Sequence, residues 1–186
     1  MEAFSDGVMA VVITIMVLNL HAPDGHSFHD LRPLWPKLSV YLLSFVFIAI
    51  YWNNHHHLMQ AVQRVSGSVL WANAHLLFWL SLTPVAAAWL GPHVGDSAPV
   101  AVYGVVLLGS GLAFVVLTRA LVAVHEPGSA LARAVGSDRK GKSSLVAYLA
   151  GVLVANWVPW LSVGLYVAVA AAWLIPDRRI ERVIVE

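Results

Sequence analysis

Apolar residues fall in five long blocks separated by short polar stretches. The first covers 3–20 and is stopped near Pro23; its 18 residues would rise about 27 Å as a helix, enough to cross a bilayer with little tilt. Glu2 and Asp6 stand where a secretory signal would carry basic residues, so the block reads as a span. Blocks over 38–59, 69–90 and 100–124 predict three more spans. The last block, 144–175, has 32 residues, too many for one span and too few for two full ones. Asn156, Trp157, Pro159 and Trp160 near its centre predict a tight turn between short spans over 144–157 and 160–175, with a re-entrant hairpin as the alternative. The pattern predicts an all-α polytopic membrane protein, one domain over 1–186 with six transmembrane helices.

Composition agrees. Of 186 residues, 59% are hydrophobic and 11% charged, with a mean hydropathy of +0.75; a soluble domain carries about a quarter charged residues. Six spans leave no room for a separate soluble catalytic domain. A net charge of +1 argues against nucleic acid as a partner. The absence of cysteine excludes disulfides, thiolate metal sites and thiol nucleophiles. With the amino terminus cytoplasmic, nine lysines and arginines fall on the inside and only Arg32 and Lys37 outside. The expected placement is therefore in the cell membrane with both termini cytoplasmic. Trp35, Trp89, Trp157, Trp160 and Trp173 fall near span ends, where amphipathic rings suit the headgroup level.

Candidate chemistry is concentrated in the first three spans. Ser5 and Asp6 open the first, where a cap and a dipole-offsetting charge would account for them. A carboxylate at a membrane border, in a chain with ten acids, points instead to a specific partner. The topology puts Trp52 and the histidines after it at the same depth. Val11, Thr14, Ile15 and Leu18 share one face by their spacing of three and four. Such a stripe always exists in a helix that is apolar nearly all round, so core packing and pore lining both fit it. His55, His56 and His57 suggest a metal, but consecutive helical residues point about 100° apart and cannot converge on one ion. No metal site, catalytic residue or cofactor is expected; one or two of the imidazoles are expected to hydrogen-bond across helices near Asp6, and the rest to face water or headgroups.

The run AFSDGVMAVVITIMVLNL at 3–20 resembles the signature of the transmembrane protein 175 family of potassium channels. YLLSFVFIAIYWNNHHHLM at 41–59 and NAHLLFWLSLTP at 73–84 are similar to its second and third helices. The resemblance covers about the first half of the chain; the second half matches only in hydropathy. It implies a homotetramer whose four first helices surround the ion path. The constriction positions would fall on Val11, Ile15 and Leu18, with the selectivity-associated threonine at Thr14. An interhelical polar network would fall on Ser5, Asp6, Trp52, His55, His56 and Asn73. Two departures stand out. The arginine usual four positions before the family's Phe has no counterpart here, so either the start lies upstream or the network lacks that residue. Val11 is also smaller than the isoleucine or leucine common at its layer, which widens the constriction.

The expected function is passive, potassium-selective conduction through a hydrophobic constriction, with potassium ions, membrane lipid and further copies of the chain as partners. The alternatives are a small secondary transporter, hinted at only by Asn156 and Pro159 mid-span, and a membrane metal-dependent enzyme using the histidine cluster.

Overall fold

Side-chain caps, which hydropathy does not register, start three of the helical elements of this computed structural model. The structure describes residues 1–126, 129 and 138–174. Arg133 and the tail with Arg178, Arg179 and Arg182, which entered the charge argument, lie outside the described residues. Helix α1 is Glu2–Leu18. In the first polar stretch, the Ser27 hydroxyl accepts from the His29 N–H and the Asp30 carboxylate accepts from the Ser27 N–H, folding Phe28–Leu34 into a 3-10 helix. That turn runs into α2, Trp35–Gln60, whose first turn holds Pro36, a residue with no N–H to satisfy there.

Ser66 caps α3, Gly67–Ser81. Pro84 cannot continue the α3 ladder, so the helix breaks at Leu82 and resumes as α4, Thr83–Leu90. Helix α5 is Ser97–Ala123. Asp138 accepts from the Gly141 N–H at 2.8 Å, so α6, Arg139–Val154, starts five residues before the apolar block and carries Arg139, Lys140 and Lys142 as helical residues. A turn over 155–158 leads to α7, Pro159–Leu174.

The fold is all-helical, and the described residues make six rods, counting α3 and α4 as one broken rod. Among the described residues, three helical stretches, Phe28–Gln60, Gly67–His93 and Ser97–Ala123, are long and apolar enough to cross a membrane. Helices α1, α6 and α7 have 17, 16 and 16 residues, rising about 24–26 Å.

The rods alternate in direction. The start of α1 meets the end of α2 and the start of α3. The end of α5 meets the same edge, where the Gln63 N–H donates to His125 Nε2 at 3.1 Å. Trp173 Nε1 donates to Ser144 Oγ at 2.9 Å, which puts the start of α6 beside the end of α7. Met1 and Leu174 therefore share one end of the bundle. Helix α5 is the central rod, packed by α3, α4, α6 and α7, while α1 rests on α2, α3 and α4 at one flank.

Close approach in a bilayer rests on small residues. A Cβ on Gly104 or Gly151 would overlap the Tyr166 ring, and one on Gly109 the Trp79 ring. Two hydroxyls in this interior satisfy each other and the backbone: Ser44 donates to the Val40 carbonyl at 2.8 Å, and the Tyr103 hydroxyl donates to Ser44 at 2.9 Å.

Candidate functional site: the first helix and its polar anchor

Helix α1 has two long faces with different tasks. Ser5, Met9, Val12 and Met16 are its buried residues, and their spacing of three and four aligns them in one row against α2, α3 and α4. Val11, Ile15 and Leu18 are 53%, 45% and 73% exposed. At about 100° per residue, the row of Val11, Thr14, Ile15 and Leu18 lies roughly 140° from the buried row. It points away from the rest of the protomer, together with Phe4 near the start of the helix. The Thr14 hydroxyl donates to the Val11 carbonyl at 2.8 Å. Its proton is held by the backbone, so its free lone pairs face outward.

The polar anchor sits where α1 begins. Ser5, His55 and Asn73 are 0%, 0% and 3% exposed and come from α1, α2 and α3. Asn73 Nδ2 donates to Ser5 Oγ at 2.9 Å, and Ser5 donates its own proton to the Met1 carbonyl at 3.2 Å. Asn73 Oδ1 only accepts, so His55 Nε2 carries the proton in their 2.8 Å bond. One amide thus ties three helices. Each such bond contributes about 1 kcal/mol net, but a buried donor left without its acceptor costs about 1–3 kcal/mol.

A second, half-exposed set lies beside it. The Glu2 carboxylate stands 2.9 Å from His56 Nδ1. Gln60 Nε2 can only donate, so His56 Nε2 accepts from it at 2.9 Å, and Nδ1 carries the proton toward Glu2. The ring is satisfied on both nitrogens while neutral. Trp52 enters by stacking, its ring 5.7 Å from His56 at 20°, rather than by a hydrogen bond to Asp6. Glu2 and Gln60 were not singled out in the sequence. The usable signals were an acid in the first turn of a helix whose start meets the histidines, and a Gln four residues after His56.

Asp6 is half-buried, and its Oδ1 is enclosed with no hydrogen-bond partner among the described residues; the same holds for His55 Nδ1 and His57 Nδ1. The three consecutive histidines do three different things: His55 faces the core, His56 faces Glu2, and His57 packs edge-on against His56. Among the described residues, no three His, Cys, Asp or Glu side chains stand together as a metal-binding group. His75 accepts from Trp79 Nε1 at 3.0 Å and does not join the anchor.

The region holding the outward row and the anchor is also the region that comparison with known proteins recognises. Residues 1–84 match the family model described as the endosomal/lysosomal potassium channel TMEM175. A potassium channel of Chryseobacterium sp. (strain P1-3) is 46% identical over 182 residues, covering 98% of this chain and 95% of that one. The chain belongs to the TMEM175 family. A potassium channel of Streptomyces collinus is 34% identical over 121 residues, covering 61% of this chain and 59% of its own. The crystal structure of a lysosomal potassium-selective channel TMEM175 homolog from Chamaesiphon minutus superposes with a TM-score of 0.77 at 25% identity. It covers 94% of each chain, so the likeness takes in the half that hydropathy alone had linked to the family. TMEM175 relatives are multi-pass ion channels rather than enzymes. Neither the transporter nor the metal-enzyme alternative finds support among them.

Proposed function

We propose that this TMEM175 protein is a potassium channel, a homotetramer whose four α1 helices enclose the ion path in a cell membrane. The observation that carries the proposal is the outward row of α1, an apolar ridge that its own protomer leaves uncovered. A single helix has no lumen, so conduction along this ridge requires further copies. Val11, Ile15 and Leu18 would form three layers within about 11 Å of helix rise. Such a ring offers few oxygens to replace hydration water and discriminates by how much water an ion must shed. Potassium sheds water more readily than sodium, so a narrow apolar ring favours it. Thr14, with outward lone pairs between the Val11 and Ile15 layers, would supply the one side-chain oxygen of the row.

In this reading both termini are cytoplasmic, supported by Met1 and Leu174 sharing one end of the bundle and by the count of basic residues along the sequence. The Ser5–Asn73–His55 anchor holds each α1 at a fixed tilt against its own protomer. Asp6, whose Oδ1 lacks a partner among the described residues, completes its contacts across the subunit boundary. Asp6→Ala is therefore expected to lower the assembled fraction or the open probability while each protomer still folds. Size-exclusion light scattering and single-channel recording check this. Unchanged assembly and current would leave Asp6 as a first-turn charge that only offsets the helix dipole.

Conduction itself is tested in planar bilayers or liposomes containing the purified protein. Replacing potassium by sodium on one side is expected to shift the reversal potential toward the potassium equilibrium value. An absent shift overturns the potassium proposal, and saturable flux coupled to a second solute would favour a transporter.

A further inference from the structure

Helix α6 lies on the other flank of the bundle from α1, with α5 and α7 as its principal partners. Its outward ridge is ordered by chemistry. Arg139 and Lys142 head the ridge, and Val146, Leu149 and Leu153 follow at spacings of three and four, all exposed. Lys140, between the two basic residues, turns the other way and sits 4.8 Å from the centre of the Trp173 ring. The Asp138 carboxylate beside them accepts from the Gly141 N–H. Among the described residues, neither Arg139 nor Lys142 stands in an ion pair.

Depth completes the picture. Trp157 and Trp160, both exposed, lie at the far end of the α6–α7 pair and mark one membrane interface. Helix α6 has 16 residues and rises about 24 Å, less than the roughly 30 Å of a bilayer's hydrocarbon core. Arg139 and Lys142 are thus at the opposite headgroup level or just inside it, where long basic side chains reach outward to phosphate.

We propose that the outward face of α6 binds an anionic phospholipid, with Arg139 and Lys142 on its headgroup and its acyl chains along Val146, Leu149 and Leu153. The site needs only the membrane-embedded fold and does not rest on ion conduction. Charge complementarity selects the occupant: a zwitterionic lipid presents the same chains and the same phosphate, but no net charge to a face whose two exposed cations stand in no ion pair among the described residues. Two basic residues near an anionic lipid give a preference of roughly thirtyfold over a zwitterionic one.

Native mass spectrometry of the full-length protein in neutral detergent tests this, with phosphatidylglycerol and phosphatidylcholine of identical chains titrated separately. The expected result is a roughly thirtyfold preference for phosphatidylglycerol. The double variant Arg139→Gln, Lys142→Gln loses that preference, and Arg139→Lys, Lys142→Arg keeps it. Excess inorganic phosphate leaves the lipid bound. Equal retention of both lipids by the wild type, undiminished preference in the glutamine variant, or displacement by free phosphate would each overturn the site. Retention is read without ion movement, so a silent flux assay with intact lipid preference counts against conduction and not against this site.

Discussion

Asn73→Leu is expected to lower the melting temperature of the assembled protein sharply and to abolish ion flux. The substitution keeps the γ-branching and heavy-atom count of the side chain and removes both of its polar ends. His55, fully buried, loses the acceptor of its Nε2–H, and Ser5 loses the donor that fills its lone pair. One buried donor without a partner costs about 1–3 kcal/mol, and the loss of the bonds themselves adds to it. The effect concentrates on α1 because that helix packs only at the flank, through Ser5, Met9, Val12 and Met16. A melting curve followed by size-exclusion chromatography and a liposome flux assay check both parts. Ser5→Ala should do less, since it leaves His55 bonded to Asn73. If Asn73→Leu melts and conducts like the wild type, the anchor does not position α1.

The second large effect should run the other way, changing conduction while sparing stability. Val11→Ala combined with Ile15→Ala is expected to raise current and to reduce the potassium preference by roughly tenfold, equivalent to about 1.4 kcal/mol between the two ions. Both side chains project from the protomer, so shortening them removes little packing within it. It widens the ring that forces an ion to shed water. Leu18→Ala should alter conduction in the same direction. The contrast is Met9→Ala on the opposite face: Met9 is buried in one core cluster with residues of α2, α3 and α5, and its truncation should cost about 2–5 kcal/mol. Bi-ionic reversal potentials and thermal melting, measured on the same preparations, separate the two rows. Unchanged selectivity in the double variant would remove α1 from the ion path.

The chain displays much of this in one dimension. Five apolar blocks, the Pro84 break and the turn around Asn156 are local features, written in hydropathy and in residues that stop a helix, and the structure has helices at each block. Helix starts were less legible. Asp138 begins α6 ahead of its apolar block, and the Ser27–Asp30 capping box folds part of the first polar stretch, because a cap acts through one or two side chains that leave no trace in hydropathy. The anchor was half legible. Ser5, His55 and Asn73 are polar residues in apolar spans and therefore conspicuous. Their mutual bonding depends on three helices crossing at one depth. Trp173 stands near a span end, and its bond to Ser144 is a contact between helices that hydropathy does not register.

What the sequence determined alone was the number of rods, their apolar character and the identity of the α1 row, since spacing along a helix settles which residues share a face. It did not determine which face of α1 is covered, because a helix that is apolar nearly all round carries no preference of its own. Tertiary packing made that choice. Helices α2, α3 and α4 take Ser5, Met9, Val12 and Met16, the buried polar bonds hold that rotation in place, and Val11, Thr14, Ile15 and Leu18 are left facing out. The free energy that turns the helix comes from contacts between segments far apart in sequence, and only the folded chain brings them together.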